Sequence, residues 1–488
     1  MSERENEKRV VDSVPKQLLI GGRWLDAAGG KTLIVDDPST EEALCEVADA
    51  GEREAIAALD AAVAAQYDWA RTAPRERGEI LHRSYEVLNE RVDDLALLMT
   101  LEMGKPLAES KSEIVYAAEF FRWFAEEAVR IPGDYTVSAN GQGRTLVMRQ
   151  PVGPCLLITP WNFPLAMGTR KIGPAVAAGC TMVMKPAGAT PLSMLALGEV
   201  MQEAGLPPGV LNIITTSTSR ETTSPLIEDA RLRKISFTGS TEVGAKLMEQ
   251  ASKNVLRVSM ELGGNAPFIV FDDADLDAAV EGAMIAKMRN LGESCVAANR
   301  FFVAESVADD FAARLADRMG ALTIGRGTDA GVDVGPLISE EQRSKVAELV
   351  DDAVDIGAKC LVGGNRTGER GYFYVPTVLS NLPDDANLLR EEIFGPVAPI
   401  KPFSEESEAV DVANDTEYGL VAYVYTRDMK RALRVVEDLE TGMVGVNKGL
   451  VSNPAAPFGG IKASGFGREG GKEGIHEYLE VKNVAIDL

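Results

Sequence analysis

The alternation of short β-rich runs with helix-compatible stretches constrains the fold of this 488-residue chain more than any other feature. From Gly153 onward these runs are PCLLIT, CTMVMK, VLNII, RKISF and VLRVSM, and APFIVF follows Gly263 and Gly264. A stretch that suits a helix separates each run from the next, which is the pattern of βαβ units in a parallel sheet. The sequence therefore predicts an α/β fold of two α/β domains with parallel sheets.

The regions outside this alternation predict further helices and a β arm. Two short strands, near LLIGG and LIVDD, precede several long helices, and the helical apolar period of RERGEILHRSYEVLNERVDDLALLMTLEMG ends at Gly104 and Pro106. GRTLVMRQP and the tail HEYLEVKNVAIDL are strand-like, so they are predicted to pair as an arm that bridges subunits. The predicted units are a cofactor-binding domain (1–132 and 152–262), a catalytic domain (263–470) and the β arm (133–151 and 471–488).

Charge and composition exclude several classes of function. The 74 acidic and 50 basic residues give a net charge of −24, which indicates a solvated acidic surface and disfavours a nucleic-acid partner. Adaptation to high salt is a further interpretation of that surface. The start MSERENEKRV lacks the apolar stretch of a secretory signal, and no apolar run approaches the ~18 residues that span a membrane. We expect a cytoplasmic protein without a membrane partner.

The cysteines and histidines narrow the chemistry. Five cysteines with no paired spacing suit a reducing compartment better than a disulfide scaffold. The only histidines are His82 and His476, so neither a histidine-rich metal site nor a histidine relay is expected. No metal is predicted, and any nucleophile must be activated by other groups.

Three residues far apart in the sequence suggest one mechanism. Cys295 in NLGESCVAANR, Glu261 in SMELGGN and Asn162 in TPWNFP could separately be core filler, a capping carboxylate and a turn residue. Together they supply a thiolate nucleophile, a base that activates water and an amide that stabilises an oxyanion beside the Cys295 backbone N–H. With no histidine nearby, backbone N–H groups or a cationic nicotinamide would have to lower the thiol pKa.

Six motifs carry a resemblance to a known family. In order and spacing, TPWNFP, FTGSTEVG, MELGGN, GESCVAANR, EEIFGP and PFGGIKASGFGRE resemble the aldehyde dehydrogenase superfamily, and Cys295 follows Glu261 by the family's interval of 34 residues. The resemblance covers the chain from Ile20 to EYLEVK. It implies an aldehyde dehydrogenase-like fold with a Rossmann-like cofactor domain, a catalytic domain and an oligomerisation arm. It also implies NAD(P)-dependent oxidation of an aldehyde through a Cys295 thioester, in a homodimer or homotetramer.

The resemblance assigns cofactor residues by position. Lys185 matches a lysine that contacts the adenosine ribose, and the turn and helix start in FTGSTEVG match the part that faces the pyrophosphate. The residues implied for the cofactor are Thr159, Pro160, Trp161, Lys185, Gly188, Gly239, Ser240, Gly244, Leu262, Glu392 and Phe394. NAD-preferring members often place a glutamate where this chain has Gly188, and its loss favours NADP. A loop glycine in an enzyme that still uses NAD is the alternative.

Two arginines suggest the substrate. Arg170 and Arg289 resemble the pair that clamps the substrate carboxylate in the succinate-semialdehyde dehydrogenase subgroup, where Ser452 would assist and Phe163 would line the pocket. The implied reaction converts succinate semialdehyde to succinate. Pairing of each arginine with an internal carboxylate remains an alternative, as do glutarate semialdehyde and a broad range of aliphatic or aromatic aldehydes as substrates.

Two departures from the subgroup bear on this assignment. Glu293 stands where the subgroup usually has glutamine, and a carboxylate there would oppose thiolate formation unless it points away or is paired. Ala297 replaces a second cysteine, which excludes a redox switch between neighbouring thiols.

Two other functions are consistent with the same fold. A CoA-acylating dehydrogenase would not need the water-activating base that Glu261 provides. A non-catalytic binding protein would not need Cys295, Glu261 and Asn162 together.

Overall fold

The computed structural model describes residues 3–487, and within them the chain forms 14 α-helices and 22 β-strands. The helices are α1 (Glu3–Asp12), α2 (Glu52–Trp69), α3 (Pro74–Glu90), α4 (Val92–Met103), α5 (Leu107–Glu127), α6 (Ala166–Ala178), α7 (Leu192–Glu203), α8 (Ser219–Glu228), α9 (Thr241–Ser252), α10 (Leu276–Met288), α11 (Glu305–Gly320), α12 (Glu340–Asp355), α13 (Glu406–Asn414) and α14 (Met429–Asp438). Short 3₁₀ turns lie at Ala28–Gly30, Arg289–Gly292, Asn387–Leu389 and Gly474–Tyr478.

The strands form two large sheets and three small ones. They are β1 (Leu18–Ile20), β2 (Arg23–Leu25), β3 (Thr32–Asp37), β4 (Glu42–Ala48), β5 (Asp134–Val137), β6 (Arg144–Pro151), β7 (Cys155–Ile158), β8 (Met182–Lys185), β9 (Leu211–Ile213), β10 (Lys234–Thr238), β11 (Arg257–Glu261), β12 (Ala266–Val270), β13 (Ala298–Ala304), β14 (Lys359–Val362), β15 (Thr377–Ser380), β16 (Val397–Phe403), β17 (Tyr418–Gly419), β18 (Val421–Tyr425), β19 (Met443–Val446), β20 (Ile461–Lys462), β21 (Gly465–Phe466) and β22 (Leu479–Ile486).

The first large sheet has the order β2-β1-β9-β8-β7-β10-β11-β21, and its five central strands are parallel. Helices cover both faces, so these strands are buried and apolar on both sides. In β7, Cys155 and Leu157 join one hydrophobic core, whereas Leu156 and Ile158 join another. This alternation is the period of two that an extended strand imposes.

The second large sheet has the order β14-β15-β16-β13-β12-β18-β19 and is parallel except at β14. Its core is aromatic, since the ring centroid of Phe268 lies 5.1 Å from that of Phe301 and 4.9 Å from that of Tyr425. The predicted fold of two α/β domains with parallel sheets is confirmed.

A three-stranded antiparallel sheet forms the arm, with the order β22-β6-β5. The pairing of β22 with β6 runs without interruption from Leu479 opposite Pro151 to Ile486 opposite Arg144. Four large apolar side chains on this sheet are exposed: Tyr135, Val137, Met148 and Val481.

Two details differ from the sequence pattern. The helical period predicted through residue 103 is interrupted at Arg91, whose non-helical backbone separates α3 from α4. The helix α4 ends at Gly104 as predicted, because this residue adopts φ +93°, a left-handed conformation that glycine tolerates. The short strand β21 adds to the edge of the first sheet although its residues lie in the segment assigned to the catalytic domain.

The residues that carry the predicted chemistry lie next to strand ends of both large sheets. Glu261 ends β11, and Asn162 follows β7, so both lie at the carboxyl edge of the first sheet. Cys295 precedes β13 of the second sheet. No α-helix within residues 3–487 has both the length and the hydrophobicity that a membrane span requires.

Candidate active site

A single cleft brings together most of the predicted site residues. Its walls include Pro160, Trp161, Asn162, Phe163, Arg170, Gly239, Ser240, Leu262, Arg289, Cys295, Glu392, Phe394 and Ser452. Five predicted residues are not on these walls: Thr159, Lys185, Gly188, Gly244 and Glu261. The cleft also has walls that the sequence reasoning missed, formed by Tyr116, Met167, Thr238, Gly263, Ser294, Val296, Gln342, Lys345 and Phe458.

The thiol of Cys295 is neutral in the environment that the protein alone provides. Burial raises its pKa to about 12, the Glu392 carboxylate adds to that shift, and the Arg170 guanidinium opposes it. Backbone N–H groups therefore do not activate the thiol by themselves. The expected alternative, a cationic nicotinamide beside the sulfur, fits this finding.

The loop of residues 289–297, called here the nucleophile loop, carries Cys295 and has a strained backbone. Asn290 and Leu291 adopt left-handed φ values of 55° and 56°, and Gly292 follows with 75°. Each such non-glycine residue costs about 1–3 kcal/mol and persists only where its surroundings hold it. The Asn290 side chain provides that support, because its Nδ2 donates to the Asn162 carbonyl at 3.0 Å and to the Glu293 carbonyl at 2.9 Å.

The Asn162 side chain, the predicted oxyanion donor, lies on a wall of the cleft with its amide held in one orientation. Its Nδ2 donates to the Glu293 carbonyl at 2.9 Å, and its Oδ1 accepts from the Phe163 N–H, which fixes the orientation of the amide. An amide has two N–H donors, so one remains for a substrate oxygen.

A buried ion pair supports the Asn162 turn. Lys105 Nζ donates to the Asn162 carbonyl at 2.9 Å and to Glu113 Oε2 at 2.6 Å. Glu113 Oε1 in turn accepts from the N–H groups of Leu165 and Ala166, where α6 begins. No motif indicated this pair, because its members come from outside the quoted segments and meet Asn162 only through folding.

The Glu261 carboxyl lies beside a second carboxylate. Burial and the nearby Glu469 raise the pKa of Glu261 well above its usual value. Burial also opposes ionisation of Glu469, but Lys171 at 2.6 Å and Arg170 at 2.9 Å lower the pKa of Glu469. Because the pKa of Glu261 is the higher of the two, a proton shared by this pair resides on Glu261 and Glu469 remains the partner of Lys171 and Arg170. Gly459 leaves room for this arrangement, because a Cβ there would lie 2.8 Å from Glu261 Oε1.

The two predicted clamp arginines differ in their partners. Arg170 pairs with Glu469, as the alternative interpretation expected, and its guanidinium lies 3.8 Å from the ring centroid of Phe458. Its buried Nη2 has no hydrogen-bond partner within residues 3–487.

Arg289 lies across the aromatic rings of Phe163 and Tyr116, at 5.0 and 5.6 Å. In the described part of the chain, no hydrogen bond or ion pair engages the Arg289 guanidinium. Arg289 is therefore the cation that remains available to an anionic substrate.

Glu293 does not disturb the cleft in the way its position suggested. Its Oε1 accepts from the Ile338 N–H at 3.1 Å, and its side chain is absent from the cleft walls. Burial raises the pKa of this carboxyl well above its usual value, which favours its neutral form. The charges that act on the Cys295 thiol come from Glu392, Arg170, Glu261 and Glu469 instead.

The adenosine and pyrophosphate end of the expected cofactor site lies at the carboxyl edge of the first sheet. Lys185 ends β8 beside Ile158, and burial lowers the pKa of its amine to about 8. Ser240 caps α9 by accepting from the Val243 N–H, and Gly244 lets α9 approach Leu262, since a Cβ there would lie 2.5 Å from a Leu262 methyl carbon. Gly188 lies in the loop after β8.

The expected nicotinamide end contains Glu392 and Phe394. Glu392 Oε1 accepts from the Gly264 N–H at 3.0 Å, and burial raises the pKa of this carboxyl to about 7. The Phe394 ring packs edge-on against Trp161 with centroids 5.4 Å apart.

Two unpaired hydroxyl groups at this edge of the sheet could donate hydrogen bonds to the expected dinucleotide. The buried hydroxyl groups of Thr159 and Thr238 have no hydrogen-bond partner in the described structure. They lie at the strand ends where the N-terminus of α9 favours anionic groups.

Comparison with known proteins identifies the family. The model of the aldehyde dehydrogenase family matches residues 24–484. The chain belongs to the aldehyde dehydrogenase family. It is an NAD(P)-dependent oxidoreductase of that family, which confirms the resemblance that the six motifs predicted.

Individual relatives are similar over nearly the full chain. A succinate-semialdehyde dehydrogenase of Paenarthrobacter nicotinovorans is 59% identical, with 91% of this chain and 98% of that protein covered. A glutarate-semialdehyde dehydrogenase of Pseudomonas putida is 52% identical, with 97% and 98% covered. The crystal structure of an NADP-dependent enzyme of Escherichia coli is 51% identical, with a TM-score of 0.96 and 97% and 98% covered.

Some missed residues had a usable signal in the sequence. Phe458 and Glu469 lie within PFGGIKASGFGRE, a motif used only for the family resemblance. Tyr116, Gln342 and Lys345 lie outside every motif quoted above, and only their positions in the fold reveal them.

Glu293→Gln tests the protonated state of Glu293. The raised pKa in the folded protein means that the wild-type carboxyl loses stabilisation as pH rises above its ordinary value of 4.5. Glutamine stays neutral, so the variant should gain stability relative to wild type by up to about 1.4 kcal/mol per pH unit above that value. Thermal unfolding between pH 4 and 8 measures the difference.

The catalytic activity of Glu293→Gln, measured as kcat/KM, is the control for this prediction. The variant should keep the wild-type kcat/KM, because the Glu293 side chain does not face the cleft. A stability difference that stays constant with pH, or a large change in kcat/KM, would show that Glu293 is ionised or acts at the site.

Proposed function

We propose that the chain oxidises succinate semialdehyde to succinate, with NADP or NAD as hydride acceptor. The observation that carries this proposal is that one cleft holds Cys295, the unpaired Arg289 guanidinium and the free Nη2 of Arg170. The Arg289 guanidinium interacts electrostatically with Glu109 but forms no ion pair with it, so an anionic ligand in the cleft can still bind Arg289. An aldehyde with a carboxylate at its far end supplies that anion, and the names of similar proteins support this choice.

Glutarate semialdehyde is the second candidate. It presents the same two functional groups at a greater separation, and relatives from Pseudomonas that are 50 to 52% identical carry its name.

The residues of the cleft suit a thioester mechanism. The Cys295 thiolate attacks the aldehyde carbon, and the oxyanion accepts hydrogen bonds from Asn162 Nδ2 and the Cys295 N–H. The nicotinamide, when bound, accepts the hydride. The raised pKa of Glu261 makes its carboxylate a stronger base, and this carboxylate takes a proton from the water that hydrolyses the resulting thioester. Succinate then leaves, and the Cys295 thiol is restored.

Two substitutions separate the two halves of this mechanism. Cys295→Ala should abolish reduction of the cofactor with any aldehyde. Glu261→Gln should allow about one hydride transfer per active site and then slow turnover by about 10²–10⁴-fold, because the thioester lacks its water-activating base. Rapid-mixing absorbance and mass spectrometry of a succinyl group on Cys295 measure these outcomes. Retained turnover in Cys295→Ala, or normal steady-state turnover in Glu261→Gln, would contradict the mechanism.

Arg289→Met tests recognition of the carboxylate. Loss of a charge-assisted contact of about 1.5–3 kcal/mol should raise KM for succinate semialdehyde by about 10–150-fold. KM for propanal, which has no carboxylate, should stay near its wild-type value. Arg289 is the better residue to replace, because removal of Arg170 would also disturb Glu469. Equal effects on the two aldehydes would contradict the clamp.

NADP is the proposed preferred cofactor, because Gly188 places no carboxylate near the adenosine ribose. Gly188→Glu should lower kcat/KM for NADP by at least about tenfold relative to NAD, through charge repulsion of the 2′-phosphate. A Cβ at Gly188 meets only the Thr216 carbonyl, at 3.5 Å, so the fold accommodates the change. Gly188→Gln, of matched size without charge, is the control, and an equal loss in both variants would contradict the charge argument.

The arm supports a further proposal, that the protein is a homodimer or homotetramer. The exposed apolar side chains of Tyr135, Val137 and Val481 would be covered by a second copy. Light scattering that reports a monomer would contradict this. Residues 133–151 and 471–488 would then form the oligomerisation unit, beside a cofactor-binding domain (1–132 and 152–262) and a catalytic domain (263–470).

The proposed compartment is the cytoplasm. Each of the five cysteines is unpaired, which suits a reducing environment. Recovery of the native protein from an oxidising compartment of its source cells would contradict this.

A further inference from the structure

The loop of residues 389–395, called here the cofactor loop, is fastened to the protein through its carbonyl groups. Each of its seven backbone carbonyls accepts a hydrogen bond from a buried or half-buried side chain. Asn265 binds Leu389 and Arg390, Asn299 binds Glu391, Lys345 binds Glu392, Gln342 binds Ile393 and Phe394, and Lys287 binds Gly395. The positions of Glu392 and Phe394 are thus set by side chains from other elements.

The cofactor loop needs this support because its backbone is strained. Phe394 has a left-handed φ of 54°, which costs a large side chain about 1–3 kcal/mol. Gln342 Nε2 holds the Phe394 carbonyl at 2.7 Å, and Asn299 Oδ1 accepts from the Ile393 N–H at 3.1 Å. Release of either end of this segment would let Phe394 relax and move its ring away from Trp161.

Lys287 is a buried cation, whereas Lys345 is half-buried and the remaining donors are neutral amides. Its side chain is fully buried, and Nζ donates to the Gly395 carbonyl at 3.1 Å. Burial lowers the pKa of this amine to about 7, although Glu392 opposes the shift. A buried amine with one hydrogen bond is costly, so an apolar residue would be more stable here unless the contact serves the site.

The Gly395 carbonyl is also the point where the cofactor loop meets the loop that carries the nucleophile. A Cβ on Gly292 would lie 2.3 Å from the Gly395 oxygen, so the two backbones are in close contact there. Lys287 lies near the end of α10, two residues before Arg289. One side chain thus joins the helix that leads to Arg289 and Cys295 with the loop that carries Glu392 and Phe394.

We propose that Lys287 is a positioning residue that holds the cofactor loop in register with the nucleophile loop, and so sets where the nicotinamide lies relative to Cys295. This inference rests on the proposed assignment of Glu392 and Phe394 to the nicotinamide end. Cys295 and Asn162 have their own support from Asn290 and Lys105. Loss of Lys287 therefore affects hydride transfer and spares the nucleophile.

Lys287→Met tests the proposal, because methionine fills part of the space and cannot donate a hydrogen bond. Two activities are compared: oxidation of succinate semialdehyde, and hydrolysis of p-nitrophenyl acetate without cofactor. The ester acylates Cys295 and uses Asn162 and Glu261, but it transfers no hydride. A displaced loop should raise KM for the cofactor and lower kcat for oxidation, together by about 10²-fold in kcat/KM, and leave ester hydrolysis near the wild-type rate.

Lys287→Gln is the matched variant, since glutamine is as long as methionine and retains an N–H donor. It should recover part of the cofactor KM that methionine loses. If Lys287→Met does not fold, the two activities of Lys287→Gln are compared with those of the wild type instead. Equal KM values in the two variants, both far from wild type, would show that the Gly395 hydrogen bond is not the cause.

Lys234→Met controls for the removal of a buried lysine. Lys234 is fully buried in β10, where it donates to Ser259, and burial lowers the pKa of its amine to about 8. This variant should change thermal stability and leave the ratio of oxidation to ester hydrolysis as in wild type.

Two results for Lys287→Met overturn the proposal: an unchanged cofactor KM, or an equal loss of both activities. Glu392→Gln distinguishes the underlying assignment. If Glu392→Gln leaves the cofactor KM unchanged, the nicotinamide assignment fails. If Glu392→Gln raises this KM and Lys287→Met does not, the role of Lys287 fails alone.

Discussion

The hydrogen bond from Asn162 Nδ2 to the Glu293 carbonyl is the contact on which the site depends. It joins the turn after β7 of the first sheet to the nucleophile loop before β13 of the second. Asn290 strengthens the same junction by donating hydrogen bonds to the carbonyls of Asn162 and Glu293. Lys105 also donates to the Asn162 carbonyl. Because these groups are buried, a missing partner would cost about 1–3 kcal/mol, so the junction favours one arrangement. The proposed oxyanion donor and the proposed nucleophile are therefore positioned before a substrate arrives.

Burial has the largest effect on the pKa values of the carboxyl groups around this junction. Glu261, Glu293 and Glu392 all have raised pKa values because they are desolvated, whereas Glu469 stays ionised beside Lys171 and Arg170. The same residue type thus supplies a base, an uncharged structural group and a partner for two cations. The thiol is subject to the same effect: burial raises its pKa, and a cationic cofactor is the proposed source of its activation.

The sequence was a good guide to the strands and to the residues of the cleft, and a weaker guide to their partners. Strand runs such as PCLLIT and RKISF are buried on both faces and have few polar residues, so their pattern is local and readable. The break at Arg91 was missed because the apolar period continues across it. From the sequence, Glu293 was expected to oppose formation of the Cys295 thiolate, because the two residues are close together in the chain. The N–H of Ile338, which donates a hydrogen bond to the Glu293 carboxyl, is 45 residues away and could not be identified from the sequence.

By itself the sequence determined the family, the two α/β domains with parallel sheets and the identity of the chemical groups, because ordered motifs and strand periodicity are properties of the chain. Only the tertiary structure decided which charges are free. Arg170 and Arg289 look equivalent in sequence, yet one pairs with Glu469 and the other lies over two aromatic rings. The tertiary structure also brings the Lys287 amine to the carbonyl of Gly395, 108 residues away, where it donates a hydrogen bond. Ion pairing, burial and hydrogen bonding depend on distances in space, and the distance between two residues along the chain does not fix them.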